Sequence, residues 1–260
     1  MLRKLLDKRI VGIWLVIAFD IVFGRVAVTL REYFDGPIWF GVSSLQRILF
    51  GIAAVMIYLK CFDKTNWKEV INFKGFWRGL LAGSGMILAT LYLTAYIAVG
   101  TSYFIGLTMP LIISQFLCQQ ITTGFYEEIV YRGFIVEGYF YQRKQNILAR
   151  LGYASISFVI FGLAHAIYCT SFDQGVYRFI TTGIIGFAFA AIYLYSHNLL
   201  VPMILHTVYD IPANLMSYVE WNNAPGKLAL DSVYGGMLPV VFIIALVFLV
   251  MPSKKKLSTL

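Results

Sequence analysis

The chain has 260 residues, of which 59% are hydrophobic and 13% are charged, and its mean hydropathy is +0.75. A soluble domain carries a charged fraction of about 25%, so this composition excludes an ordinary soluble protein. The apolar residues recur along the chain in blocks of about 20 residues, the length that an α-helix needs to cross a bilayer. The sequence therefore predicts an all-α, polytopic membrane protein that forms a single integral membrane domain over residues 1–260.

The net charge of +8 follows a pattern that is typical of membrane insertion rather than of nucleic-acid binding. Basic residues gather before the first apolar block, between the second and third, after the fourth and after the last. They are Arg3, Lys4, Lys8, Arg9, Lys60, Lys64, Lys68, Lys74, Arg78, Arg143, Lys144, Arg150, Lys254, Lys255 and Lys256. Because basic connections stay in the cytoplasm, this alternation predicts cytoplasmic N- and C-termini. The lipid bilayer is the expected surrounding, and no nucleic-acid partner is expected.

The apolar blocks predict eight transmembrane helices, an even number that agrees with two cytoplasmic termini. They cover residues 10–30, 39–59, 77–99, 103–122, 150–168, 176–196, 198–218 and 235–251. Residues 60–76 form the main predicted inner loop. Residues 220–234 form the longest predicted outer loop, with Pro225 and Gly226 as turn formers.

The fourth block is either a steeply tilted helix that runs out into the cytosol or an interrupted helix, because no obvious polar break separates Tyr103 from Tyr141. A single helix over this stretch would be about 58 Å long, against a hydrocarbon core of about 30 Å. Gly124 is the predicted interruption, since glycine is a poor helix former. The polar segment FYEEIVYRGF begins directly after it, at residue 125.

Ionisable residues inside apolar blocks are the strongest functional signal, because a charge at the bilayer centre costs at least about 2.5 kcal/mol. They are Asp20, Arg25, Arg47, Glu127, Glu128, Arg132, His165, His206 and Asp210. Asp20, Arg25 and Arg47 are isolated in the sequence. The simplest interpretation of these three is pairing between the first two helices.

Glu128 and Arg132 are four residues apart, so on a helix they share one face and can form an ion pair. Glu127 is rotated by about 100° from Glu128 and points away from the arginine. The spacing thus favours a structural Glu128–Arg132 pair that leaves Glu127 free for chemistry. The alternative is one network in which all three residues satisfy each other and hold helices together.

His165 lies late in the fifth predicted span, and His206 and Asp210 share one face of the seventh. A lone membrane histidine is usually a hydrogen bond between helices. A carboxylate beside an imidazole is, however, what the activation of water requires. Histidines with carboxylates can also hold a zinc ion that keeps an open position for water, in which case the metal ligands would be Glu127, His165 and His206. Zinc remains an open alternative from the residues alone.

Together these residues resemble the CPBP intramembrane proteases, a family that includes type II CAAX prenyl endopeptidases and bacteriocin-processing or self-immunity proteins. The family pattern is Glu-Glu-x-x-x-Arg, then Phe-x-x-x-His, then His-x-x-x-Asn/Asp. The chain has Glu127-Glu128-x-x-x-Arg132, Phe161-x-x-x-His165 and His206-x-x-x-Asp210. The resemblance covers about residues 120–215. It implies an eight-helix membrane core with a cavity for peptides, and a protease-like core at about 103–218.

The resemblance also implies roles for the candidate catalytic residues. Glu127 and His165 would activate the hydrolytic water, and His206 with Asp210 would stabilise the oxyanion or help to bind zinc. Glu128 would support these groups, with Arg132 as its partner. Asp210 stands where the prenyl endopeptidases look to have Asn, and an ionised Asp cannot donate to an oxyanion. Asp210 must therefore be protonated, bind a metal or orient His206, and we favour the last.

Three functions fit these features. The first is an intramembrane endopeptidase that cleaves a membrane-associated or lipidated peptide precursor, and the complete motifs favour it. The second is a non-enzymatic membrane scaffold, regulatory or immunity protein that retains the polar core. The third is a transporter with a proton relay, which the lack of a visible inverted repeat disfavours. A multi-pass protein of a prokaryotic cell membrane is expected, and a membrane protein partner is left open.

Overall fold

The computed structural model of the chain describes residues 8–61, 71, 73–100, 106–136, 146–218 and 224–251. All regular elements within these ranges are helical, which confirms the all-α prediction. They are α1 (Lys8–Arg31), α2 (Gly36–Cys61), α3 (Phe76–Ala82), α4 (Ser84–Gly100), α5 (109–133), α6 (Ile147–Ala166), α7 (Phe172–Ser196), α8 (Leu200–Leu215, extended by a 3₁₀ turn, Met216–Tyr218) and α9 (Ala224–Val250).

Three helices of the described part are long and apolar enough to cross a membrane: Gly36–Ile57 within α2, α6 and α7. The pair α3 and α4 gives a fourth span if it is counted as one helix with a bend of 55°. Large apolar side chains such as Trp77, Leu148 and Phe172 are exposed, as expected of a surface that faces lipid. The structure thus supports a multi-pass membrane protein with three or four spans, and it does not confirm eight spans or the orientation of the termini.

The segment α5 alternates between two helix types, with Met109–Leu111 and Gln120–Glu127 α-helical and Ile112–Gln119 and Glu128–Gly133 π-helical. The predicted interruption at Gly124 is wrong, because this glycine lies inside the second α-helical section. A Cβ at Gly124 would lie 2.6 Å from the carbonyl oxygen of Met203 on α8. The glycine therefore permits close packing of α5 on α8, which brings the Glu127–Glu128 pair beside His206. π-helical turns are frequent at functional sites.

The predicted outer loop at 220–234 is also wrong in extent, because α9 begins at Ala224. Pro225 and Gly226 lie in the first turn of that helix rather than in a turn. Proline is favoured there because the first helical N–H groups lack partners inside the helix. Most of the predicted inner loop, residues 62–70 and 72, lies outside the described residues.

The core surrounds the C-terminal half of α7, where residues 187–194 are buried without interruption. Gly186 lets α6 approach closely, since a Cβ on it would be 2.9 Å from the Cβ of Phe161 and 3.0 Å from the carbonyl oxygen of Ser157. Small residues at such contacts are typical of helix packing in membranes. This tight contact fixes α6 against α7 and holds Phe161 beside the polar residues of α5 and α8.

Candidate active site

His206 on α8 lies at the centre of the polar cluster. Its Nδ1 lies 2.7 Å from Oε1 of Glu128. Its Nε2 lies 3.7 Å from Oε2 of Glu127 and 3.6 Å from Oδ2 of Asp210. The two nitrogens of an imidazole face different directions, so Glu128 holds one side of the ring while Glu127 and Asp210 face the other.

Glu128 and Arg132 form the ion pair that their spacing predicts, and both side chains are completely buried. Nη1 of Arg132 donates to Oε1 of Glu128 at 2.9 Å, and Nη2 donates to the carbonyl oxygen of Gly186 at 3.4 Å. The guanidinium also lies over the ring of Phe161, 4.5 Å from its centroid. Removing one partner of such a pair leaves an uncompensated buried charge, which costs about 3–5 kcal/mol. The pair therefore fixes Glu128, and through it His206.

Glu127 takes no part in the ion pair with Arg132. Its side chain is 16% exposed, and its Oε2 has no hydrogen-bond partner among the described residues. The structure thus differs from the alternative in which the three charged residues of α5 satisfy one another. It leaves Glu127 as a carboxylate with capacity to accept a proton or a hydrogen bond.

Two adjoining cavities meet at Glu127. The larger has a volume of about 740 Å³ and the smaller of about 290 Å³, and both are lined by Glu127, His165, Tyr177 and Arg178. The smaller cavity also reaches His206 and Asp210. A volume of 300–1,000 Å³ is typical of ligand sites in proteins, and the larger cavity lies within this range.

His165, in the last turn of α6, lines both cavities. Its Nδ1 lies 2.8 Å from the carbonyl oxygen of Phe161, and only a protonated nitrogen can make that bond. In the neutral ring Nε2 then carries a lone pair that is free to accept a proton or bind water. The ring of Phe161 contacts both imidazoles, with centroids 4.5 Å from His165 and 5.8 Å from His206.

The predicted metal ligands Glu127, His165 and His206 do not form a metal site in this arrangement. Within the part of the chain that the structure describes, no three His, Cys, Asp or Glu side chains are placed to hold a metal ion. The donors present therefore do not fit a zinc ion as they stand.

Glu128, rather than Asp210, contacts Nδ1 of His206. Oε1 of Glu128 makes the short contact to Nδ1 of His206, whereas Asp210 lies on the Nε2 side, beyond hydrogen-bond distance. Glu128 lies on α5 and Asp210 lies one turn after His206 on α8, so the two carboxylates approach the ring from different sides. Asp210 instead shares the cavity side with Glu127.

Asp20 also belongs to the site, and the predicted pairing between the first two helices is wrong for it, because its partner lies on α5. Tyr131 on α5 donates its hydroxyl to Asp20, with distances of 2.8 and 2.9 Å to the two carboxylate oxygens. Asp20 lines the larger cavity and interacts electrostatically with Glu127. Arg47 on α2 does contact the first helix, because its guanidinium lies 5.4 Å over the ring of Phe23 on α1. One sequence signal could have found the first contact, since Tyr131 lies four residues after Glu127 and shares its helical face.

Residues 108–212 match the model of a family described as type II CAAX prenyl endopeptidase Rce1-like. This match confirms the resemblance to the CAAX protease-like family. The family is a protease family, so the match supports a peptidase activity. No curated protein and no solved structure matches the chain. The matched residues, 108–212, contain all three motifs, whereas Asp20 on α1 and Arg47 on α2 lie outside the match.

Proposed function

We propose that the protein is an intramembrane endopeptidase that hydrolyses a peptide bond with a water molecule activated by Glu127 and His165. The observation that carries this proposal is the carboxylate of Glu127, whose Oε2 makes no hydrogen bond in the described structure and which lies at the junction of two cavities, beside His206. The match to a protease family supports the reaction class.

In the proposed reaction, Glu127 removes one proton from a water molecule, while Nε2 of His165 accepts a hydrogen bond from the other hydrogen of that water. The water oxygen forms a bond to the scissile carbonyl carbon, and negative charge develops on the carbonyl oxygen. Glu127 then returns the proton to the leaving nitrogen as the C–N bond breaks. A carboxylate that acts as base and then as acid contributes about 10²–10⁴-fold to such reactions.

His206 is the proposed donor to the developing oxyanion. As an imidazolium it donates from Nε2 into the smaller cavity, while Glu128 stabilises its charge from Nδ1. A donor already held in place stabilises charge at no cost of reorganisation during the reaction. The completely buried Glu128–Arg132 pair supports this role, because it fixes the carboxylate against which the imidazole rests.

Asp210 is proposed to act in its protonated form, as a second donor on the Nε2 side of His206. Two carboxylates that share one site disfavour ionisation of both, and Asp210 and Glu127 face the same nitrogen at 3.6 and 3.7 Å. A protonated carboxyl can donate one hydrogen bond, as the side chain of Asn does. This accounts for Asp at a position where the family also uses Asn.

The proposed substrate is a peptide precursor that is anchored in or on the membrane, either by an apolar segment or by a lipid. The larger cavity combines aromatic side chains, such as Phe23, Tyr126 and Tyr168, with the polar groups of Asp20 and Glu127. Such a lining suits an extended peptide whose flanking parts are apolar. A prokaryotic cell membrane is the proposed location.

The test is cleavage by the purified protein of a panel of prenylated peptides and hydrophobic leader peptides, with products identified by mass spectrometry. Each reaction is run with and without a zinc chelator. The donors do not fit zinc, so the rate of cleavage should not depend on the chelator. We expect at least one peptide to be cut at a single bond, at equal rates with and without the chelator. A folded protein that cuts none of them would favour the scaffold alternative, and cleavage abolished by the chelator would contradict the proposed chemistry.

A further inference from the structure

Lys74, Arg78 and Arg150 lie at one end of the helix bundle. The guanidinium of Arg78 lies 4.1 Å over the ring of Tyr195, and Asn198 donates from Nδ2 to the carbonyl oxygen of Lys74 at 3.0 Å. Arg150 donates from Nη2 to the carbonyl oxygen of Phe248 at 2.8 Å. We call this region, residues 74–78, 150, 195–198 and 248–251, the basic end.

The connection between α6 and α7 lies at the opposite end of the bundle. α6 begins near the basic end, beside Arg150, and α7 returns to it at Ser196. A helix of 20 residues is about 30 Å long, so the turn that joins these two helices lies on the far side. This turn, residues 167–171 (IYCTS), carries no charge, and Arg178 in the second turn of α7 lies on the same side, where it lines the larger cavity.

The larger cavity opens at this uncharged turn. Its outer lining consists of residues 167–170 and the first two turns of α7, where the side chains of Tyr168 and Tyr177 are 64% and 58% exposed. Its floor is formed by Tyr126 and Tyr131, which are 2% and 4% exposed.

The larger cavity is closed toward the basic end. α7 runs from the cavity to the basic end, and its residues 187–194 are buried without interruption, as are the side chains of Glu128 and Arg132 on α5. Access to Glu127 through the larger cavity is thus from the end of the bundle opposite to the basic end.

Basic connections of a membrane protein stay in the cytoplasm. We infer that the peptide substrate reaches Glu127 from the extracytoplasmic side of the membrane. The substrate class is therefore an extracytoplasmic segment of an exported or membrane-inserted precursor, rather than a lipidated tail that faces the cytosol. That a peptide is cleaved at this site rests on the proposed function. The side of the membrane on which the cavity opens follows from the fold alone.

Cys169 is a natural reporter of this sidedness, because it lines the larger cavity and is partly exposed. In a chain carrying Cys61→Ser and Cys118→Ser, it is the single thiol. A membrane-impermeant maleimide is applied to intact cells and, separately, to inside-out vesicles. Two matched variants in a cysteine-free background mark the two sides: Glu32→Cys in the exposed α1–α2 connection, and Asn146→Cys at the exposed start of α6.

We expect Cys169 and Glu32→Cys to react in intact cells, and Asn146→Cys to react only in inside-out vesicles. If Cys169 instead reacts together with Asn146→Cys, the cavity faces the cytoplasm and the inference is overturned. A Cys169 that reacts from neither side while both markers react would also overturn it, because the cavity would then have no aqueous mouth.

A cleavage measurement separates this inference from the proposed function. A membrane-impermeant leader peptide is supplied to right-side-out and inside-out vesicles that hold equal amounts of the protein. Cleavage in right-side-out vesicles alone is expected, and cleavage in inside-out vesicles alone would overturn the inference while leaving the proposed function intact. Absence of cleavage in both preparations would count against the proposed function, and the labelling of Cys169 would still decide the sidedness.

Discussion

Glu127 and Glu128 are neighbours in the chain, yet their carboxylates have opposite environments. Glu128 is completely buried and bonded to both Arg132 and His206. Glu127 faces two cavities, and its Oε2 has no hydrogen-bond partner in the described structure. Adjacent residues of a helix point about 100° apart, so one carboxylate can be fixed while the other stays available. This difference predicts opposite consequences for the same substitution at the two positions.

Glu128→Gln should destabilise the fold, because it leaves the buried guanidinium of Arg132 without its counter-charge. We expect a loss of about 3–5 kcal/mol in the free energy of unfolding. The measurement is denaturant-induced unfolding of the purified protein in detergent micelles. The matched control is Glu127→Gln, which breaks no ion pair with Arg132 and should unfold near the wild-type midpoint. Equal midpoints for all three proteins would contradict the structural role of the Glu128–Arg132 pair.

Gly124→Ala should push α5 away from α8, because the new Cβ would lie 2.5 Å from Oγ1 of Thr207 and 2.6 Å from the carbonyl oxygen of Met203. Overpacking of this kind costs about 1–3 kcal/mol, and it would also widen the gap between Glu127 and His206. We expect lower stability together with a reduced kcat. Gly152→Ala on α6 is the control, since a Cβ there meets nothing within 4 Å. Equal behaviour of the two variants would show that the contact at Gly124 is unimportant.

Tyr131→Phe should destabilise the protein by about 1.5–3 kcal/mol, because it removes the hydroxyl that donates to the Asp20 carboxylate. A double-mutant cycle with Asp20→Asn measures the coupling between the two side chains. We expect the combined change to be smaller than the sum of the single changes. Tyr177→Phe, at an exposed tyrosine of the same cavity, should have almost no effect. Additive effects of Asp20→Asn and Tyr131→Phe would mean that the hydrogen bond does not contribute.

Asp210→Asn should retain activity, because the amide donates a hydrogen bond as the protonated carboxyl is proposed to do. Asp210→Ala removes the donor and should lower kcat/KM by about 10²–10³-fold. The two variants are compared on one cleaved peptide at several substrate concentrations. If Asp210→Asn is as inactive as Asp210→Ala, the carboxylate itself is required and the role proposed for Asp210 is wrong.

Contacts within one helix could be predicted from the sequence, and contacts between distant helices could not. The Glu128–Arg132 pair follows from a spacing of four residues, and the structure contains it. The bond from Tyr131 to Asp20 joins residues 111 positions apart, and no periodicity indicates which helices adjoin.

Gly124 shows the same limit in another form. A glycine in an apolar segment predicts either a break or a close approach, and the neighbouring helix decides between them. The sequence could not predict which carboxylate reaches Nδ1 of His206 for a related reason, since the relative rotation of α5 and α8 determines it.

The most direct test of the central claim compares the wild type with Glu127→Gln under single-turnover conditions, on a peptide that the wild type cleaves. The variant should unfold at the wild-type midpoint and bind the peptide with a similar Kd, as measured by protection of Cys169 from a maleimide. Its cleavage rate should be lower by about 100-fold or more, because the base that activates water is missing. Cleavage by folded Glu127→Gln at the wild-type rate would contradict the account.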